Sequence, residues 1–491
     1  MVHIPILRQG EAYESVETAD IVHHATGVAV AAVSQANSGM VARDVQRMDP
    51  DALERFTAAE LFEASKRAGT VFMEGMLPLG NATQTFDDYI RQLSATTGMP
   101  ITYCRDNARK IHRMLTGIDR VIAGLTRGLS PSILDRGYGA DGGRMVSFRR
   151  TARVFGAVLP SNSPGVHALW IPAVAMKTPV VLKPGREEPW TPCRVIQAFI
   201  AAGLPPEAFG FYPTDHGGAS ELLRCADRSM LFGGGATTRP WADDPRVELH
   251  GPGYSKVILG EDAADDWEQV VDLIVESITA NGGRSCINAS GVWVPRNGQA
   301  IAEAVAARLA EVEALPADDP EATIAAFAHP EAAEAMSQSI DRQLGVRGAV
   351  DLCERRRGSS RLVRRGRCAW LLPSIIWCED REHALAHREY LFPFASIVEC
   401  PVDELPTAIG PTLVVSALTS DEALISALMR APNVDRLNIG PIPTHRLSWD
   451  QPHEGNLFEH LYRRRAFQRE RARSQKVKSR KPKAESRKLR T

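Results

Sequence analysis

Between residues 154 and 259, short apolar runs alternate with helix-like segments, and this alternation constrains the fold more than any other feature. Segments 154–159, 179–182, 209–212, 230–232 and 256–259 read as strands, the last closing the series. Segments 166–176, 191–202 and 218–225 between them read as helices. Thr191 followed by Pro192 predicts an N-cap with proline at the first helical position, and Gly203 with Pro205 predicts the stop. Strands alternating with helices of about eight to twelve residues form right-handed βαβ units, which build a parallel sheet. Such a sheet places its ligands at the carboxyl ends of its strands.

The flanking regions differ in pattern. Residues 1–130 read mostly as helix, with the longest apolar face formed by Ile111, Met114, Leu115, Ile118, Val121, Ile122 and Leu125. A short strand is expected at 145–148, a helix at 301–315, and strands at 395–398 and 413–416. A chain of 491 residues exceeds one simple core, so two or three domains are expected. The expected division is 1–247 for a helical N-terminal region with a dinucleotide-binding domain, and 248–425 for a second α/β domain. Residues 426–467 would return to the first domain, and 468–491 would form a basic tail.

One stretch stands out for chemistry. Trp267, Val271, Ile274 and Ile278 place an apolar stripe on a helix that should stop at Asn281-Gly282-Gly283. Arg284, Ser285 and Cys286 follow, ahead of a strand-like run from Gly291 to Val294. A lone cysteine usually serves as a small buried hydrophobe. Held in a tight turn between helix and strand, with glycines beside it, its thiol instead has a fixed direction and room for a ligand.

Asn281-Gly282-Gly283-Arg284-Ser285-Cys286 resembles the nucleophile motif of the aldehyde dehydrogenase superfamily, and the likeness extends in order over most of 150–465. The resemblance implies a Rossmann-type cofactor domain joined to an α/β catalytic domain. It carries Cys286 over as nucleophile and Asn162, in Pro160-Ser161-Asn162, as the amide donor to an oxyanion. Lys183 matches the strand-end lysine that contacts cofactor ribose, Pro160 lines the same site, and Phe232-Gly233-Gly234-Gly235 matches the turn where the diphosphate rests. Arg186 stands where an acidic ribose-binding residue is common, which makes NADP an expected cofactor beside NAD. Glu248-Leu249-His250-Gly251 matches the motif whose glutamate activates the hydrolytic water, with His250 as the rival base. Glu389, in Glu389-Tyr390-Leu391-Phe392-Pro393, matches the glutamate that holds the nicotinamide ribose. His453 replaces a phenylalanine in a segment, 452–456, that borders the family's substrate tunnel.

The chain also departs from the pattern. Only thirteen positions separate Gly235 from Glu248, with Pro240 and Pro245 between, so the long helix usual there does not fit.

Charge and cysteine usage narrow the class. The formal net charge of −1 conceals a basic end: from Arg463 onward, fourteen Lys or Arg face two Glu, leaving about −13 for the rest. The tail after Phe467 has almost no apolar residues, so disorder is expected. No uncharged apolar run approaches the ~18 residues that span a bilayer, and the N-terminus has no secretory pattern. Eight cysteines are scattered singly without metal-binding spacing, as in a cytoplasmic protein with reduced thiols and no metal.

The resulting expectation is NAD(P)-dependent oxidation of an aldehyde to an acid by a cytoplasmic homodimer or homotetramer. One alternative is an acyl-CoA reductase or acylating enzyme that exchanges the thioester with coenzyme A. Another is an inactive relative whose basic tail binds nucleic acid or acidic partners.

Overall fold

The computed structural model describes residues 1–453 and 455–469. Its centre is two sheets of seven strands each among the described residues. In the first, Val247–His250, Arg228–Phe232, Phe155–Val158, Val180–Lys183 and Phe209–Phe211 lie side by side and parallel. Ile6–Arg8 and Glu11–Tyr13 extend that sheet antiparallel. In the second, Ser374–Cys378, Phe394–Glu399, Gly291–Val294, Lys256–Leu259, Thr412–Leu418 and Val434–Ile439 are parallel, and Ala349–Asp351 adds an antiparallel edge.

The expected βαβ alternation is present, with three corrections. Lys256–Leu259 does not close the first series; it lies inside the second sheet, and Val247–His250 takes the edge of the first. The crossing between sheets therefore runs through Gly251, Pro252 and Gly253. The single helix expected at 166–176 is a 3-10 segment, Pro164–Leu169, and a short helix, Pro172–Ala175. Pro172 has no N–H to continue a helical ladder, so the path breaks there. The helix expected from Thr191 spans Trp190–Ala201. Glu188 caps it by accepting a hydrogen bond from the Thr191 backbone at 2.8 Å.

Two further ranges shift. Residues 1–34 carry five short strands, ending with Ala29–Ser34, before the helices begin at Ser38–Arg47. The helix expected at 301–315 is Gly298–Leu309. Near the C-terminus, Val434–Ile439 still belongs to the second sheet, so the return to the first domain comes later. It is made by Leu457–Leu461, whose apolar side chains join the first core, and by Tyr462–Arg465, which pairs with Arg144–Arg150.

The expected strand at 145–148 lies within Arg144–Arg150, and those at 395–398 and 413–416 lie within Phe394–Glu399 and Thr412–Leu418. Arg469 donates to the Tyr138 hydroxyl at 2.9 Å; the remainder of the tail, 470–491, and Glu454 lie outside the described residues. No described helix is long and apolar enough to cross a membrane.

Candidate functional site

Strand order decides where a ligand fits. In the first sheet the chain goes from Phe155–Val158 outward to Val180–Lys183 on one side, then returns to Arg228–Phe232 on the other. The crevice at such a switch point opens at the carboxyl ends of the two diverging strands. Those ends lead into Pro160, Ser161 and Asn162 on one strand and Phe232, Gly233 and Gly234 on the other. All six line a cavity of about 550 Å³. Its opposite wall comes from the amino ends of the second sheet, through Cys286 and Ile287 ahead of Gly291–Val294 and Glu389 ahead of Phe394–Glu399, and from Arg436 within Val434–Ile439.

The loop that delivers Cys286 is built as the sequence predicts. The helix Val271–Thr279 buries Val271, Ile274 and Ile278, while Trp267 sits in a preceding 3-10 turn. Asn281, Gly282 and Gly283 then take φ of 54°, 67° and 69°, a left-handed run that reverses the chain. Asn281 bears this conformation because its amide is tied on three sides. It accepts from Asn107 Nδ2 at 2.7 Å and donates to Ser163 Oγ at 3.1 Å and Ser285 Oγ at 3.2 Å. Cys286 is half-buried in the turn beyond, its carbonyl accepting from Ser255 Oγ at 2.8 Å. Gly253 passes so close that a Cβ there would lie 2.0 Å from that carbonyl oxygen.

Asn162 stands across the same cavity. Its Nδ2 donates to the Arg284 carbonyl at 2.7 Å, which fixes the amide while leaving it a second N–H. Glu389 accepts from the backbone N–H groups of Gly253 at 3.2 Å and Tyr254 at 2.5 Å. Burial raises its carboxyl to about 7 against the pull of those amides and of Lys256, and burial lowers Lys256 to about 8. Half-buried Arg284, lowered to about 10 by desolvation, donates to the Thr97 carbonyl at 3.3 Å and lines the cavity beside Cys286.

The glycine turn behaves as an open cradle. Gly234 has φ −69° and ψ 170°, an ordinary extended conformation, and a Cβ on Gly234, Gly235 or Gly251 would meet nothing within 4 Å. Neither backbone strain nor packing calls for glycine there, so the space beside these residues fits a ligand that approaches the backbone closely, as a diphosphate does. Only a four-residue helix, Gly235–Thr238, follows the turn, in keeping with the short interval before Glu248. Gly235 itself stands just outside the cavity wall. Lys183, half-buried at the end of its strand and lowered by desolvation, and exposed Arg186 also lie outside the lining, whereas Glu187 is part of it.

Glu248 does not line the cavity; His250 does. Side chains two apart on a strand share a face, and His250 sits nearer the carboxyl end, stacked on Phe232 with ring centroids 4.4 Å apart. Glu248 stands behind it, with Oε1 3.2 Å from His250 Nε2 and Gly455 close by. His453 lines the cavity, and burial holds its imidazole well below its ordinary pKa, reinforced by the charge of Lys110. Lys110 is the wall residue that motif reasoning missed. It comes from helix Ile101–Thr116, which packs against Pro164–Leu169, and no local pattern marks it. No group of three or more His, Cys, Asp or Glu among the described residues could hold a metal.

Comparison with known proteins agrees with this architecture. Residues 12–409 match the sequence model described as the aldehyde dehydrogenase family. N-succinylglutamate 5-semialdehyde dehydrogenase of Vibrio cholerae serotype O1 is 28% identical over 272 residues, covering 53% of this chain and 54% of the relative. 2-Hydroxymuconic semialdehyde dehydrogenase of Pseudomonas sp. strain CF600 is 27% identical over 172 residues, 32% of this chain and 34% of the relative. The matched region thus spans about half the length of the first of these curated relatives, or less in the second. Among solved structures, 3,6-anhydro-L-galactose dehydrogenase in complex with NAP superposes with a TM-score of 0.74 at 15% identity, covering 95% of this chain and 99% of that one. The NAD+ complex of aldehyde dehydrogenase from Bacillus cereus gives 0.75 at 16% identity, covering 94% and 96%. At such identities the superpositions speak for the fold.

Proposed function

Because the chain belongs to the aldehyde dehydrogenase family, we propose that it oxidises an aldehyde to a carboxylic acid with NAD or NADP, using Cys286 as nucleophile. The observation that carries this reading is the meeting of Cys286 and Asn162 in one cavity with the glycine turn of Gly233 and Gly234, open beside Gly234.

The Cys286 thiol gives up its proton and its sulfur adds to the aldehyde carbon, forming a thiohemiacetal. The oxyanion is met by the second N–H of Asn162 and the backbone N–H of Cys286, both fixed before the substrate arrives. A nicotinamide bound in this cavity would supply the acceptor for the hydride that leaves that carbon. Cys286 is left acylated as a thioester, and attack by water releases the acid and restores the thiolate. Gly233 and Gly234 would hold the diphosphate, Pro160 would border it, and Lys183 and Glu389 would bind ribose hydroxyls. Arg186, reaching from the exposed loop, would pair with a 2′-phosphate.

For the water, the arrangement favours a pair rather than Glu248 alone. His250 lines the cavity and would take the proton, and Glu248 Oε1, 3.2 Å from its Nε2, would balance the imidazolium. The set-back of Glu248 also favours a second reading, transfer of the acyl group from Cys286 to coenzyme A.

One experiment tests both. The protein is incubated with a panel of aldehydes, each nicotinamide, and coenzyme A present or absent, while reduced nicotinamide and acyl products are measured. Acid formation that ignores coenzyme A supports hydrolysis, acceleration with acyl-CoA as product supports transfer, and no reduction with any aldehyde refutes the proposal.

A further inference from the structure

The cavity has two ends. One is the glycine cradle at the carboxyl ends of the first sheet. The other, beyond Cys286, is bounded by Lys110, Arg436, His453, Leu447 and Trp449. Lys110, Ile287, Leu447 and Trp449 also line a second cavity of about 370 Å³ that continues outward past Arg113 and His445. Its other charged residue, Asp106, is already paired with Arg109 at 2.6 Å.

Among the described residues, this end is short of negative charge. Lys110 makes no ion pair or hydrogen bond among the described residues, and its neighbours in charge are the Cys286 thiol and Arg436. Burial lowers its ammonium, and Arg436 lowers it further. Arg436 donates to the Pro452 carbonyl at 3.2 Å and has no carboxylate partner among the described residues, since nearby Asp450 pairs with Arg120. His453 Nδ1 is buried without a hydrogen-bond partner among the described residues. Lys110 and Arg436 are each half-buried, and a cation partly withdrawn from water without a counter-ion costs free energy that apolar side chains in its place would avoid. Two such cations facing one cavity are compensated when an anion enters between them.

We propose that the aldehyde taken by this site carries an anionic group, carboxylate or phosphate, and that Lys110 and Arg436 bind it while the carbonyl reaches Cys286. The proposal rests on the aldehyde-oxidising reading and names the substrate class for it. The cofactor's own phosphates belong at the glycine end, so the cations beyond the cysteine are left to the substrate.

The test compares kcat/KM for 4-oxobutanoate, 5-oxopentanoate and 6-oxohexanoate with that for butanal, pentanal and hexanal, and for glyceraldehyde 3-phosphate with that for glyceraldehyde. At least one anionic member should exceed its neutral counterpart ten-fold or more, which is about 1.4 kcal/mol. The carboxylate and phosphate arms tell which anion is taken. That preference should collapse in Lys110→Met and largely return in Lys110→Arg. Because methionine replaces a half-buried charge that has no ion pair among the described residues with an apolar chain of similar length, the variant should melt no lower than wild type. Equal kcat/KM for charged and neutral aldehydes would overturn the proposal. So would an equal loss on both in Lys110→Met with slower alkylation of Cys286, which would assign the ammonium to the thiol.

Calorimetric titration with glutarate needs no turnover. Glutarate binding that weakens ten-fold or more in Lys110→Met supports the anion site, even if no aldehyde is oxidised and the broader reading falls. No heat of binding in wild type with either glutarate or glycerol 3-phosphate overturns the site.

Discussion

Replacing Gly253 with alanine should disable the site without touching any group that reacts. An added Cβ would lie 2.0 Å from the Cys286 carbonyl oxygen, 2.8 Å from its carbonyl carbon and 3.0 Å from its Cβ. Even weak C–H···O contacts hold carbon and oxygen about 3.3 Å apart, so the cysteine loop must retreat by about 1.3 Å. The obstacle is backbone rather than a side-chain tip, so no rotamer change relieves it. Retreat also stretches the 2.8 Å bond from Ser255 and strains the Leu413 N–H to Gly253 carbonyl bond, likewise 2.8 Å. Overpacking of this kind costs about 1–3 kcal/mol of stability. Displacement of a reacting group by about 1 Å costs on the order of 10²-fold in rate. The assay is steady-state reduction of the nicotinamide, with thermal unfolding of the same preparation. A Gly253→Ala protein that keeps kcat within about three-fold of wild type would refute the view that this close approach fixes the nucleophile.

Gly234→Ala should do the opposite: φ of −69° suits alanine and the space is open, so the thermal midpoint should hold while cofactor Kd, read by nicotinamide fluorescence, rises several-fold. Glu389→Gln should change stability with pH. The carboxyl is raised from 4.5 to about 7 by burial, so its contribution is fully present below pH 4.5 and lost as pH rises through 7. The midpoint of the glutamine variant relative to wild type should therefore be higher at pH 8 than at pH 5 in matched calorimetric scans. Arg186→Glu should shift the ratio of kcat/KM toward NAD and away from NADP, because a carboxylate repels a 2′-phosphate that a guanidinium would pair; an unchanged ratio would remove Arg186 from the cofactor site.

What the sequence disclosed, and what it hid, follows from how local each signal is. The parallel strands from 155 to 232 and the left-handed turn at Asn281, Gly282 and Gly283 are written in consecutive residues, and both are present. Ile6–Arg8 and Glu11–Tyr13 are three residues each and join the first sheet antiparallel beside Phe209–Phe211, some 200 positions away. Segments that short have no period of their own, and tertiary pairing sets their state. The motif around Glu248 identifies a strand end, yet which of Glu248 and His250 meets the cavity depends on where the strand stops relative to Phe232. Lys110 was illegible because its helix repeats apolar residues like any core helix. Its importance appears only when Gly165 is found beside it, with Lys110 Nζ 3.4 Å from where a Cβ would stand.

The proposed chemistry depends on Cys286, and Cys286→Ala tests that dependence most directly. Cofactor binding and nicotinamide reduction are measured on the same folded variant, with an aldehyde that wild type oxidises. Loss of covalent catalysis predicts cofactor affinity within a few-fold of wild type and a rate lower by about 10³-fold or more. A variant that binds cofactor and retains more than about a tenth of the wild-type rate would contradict the account.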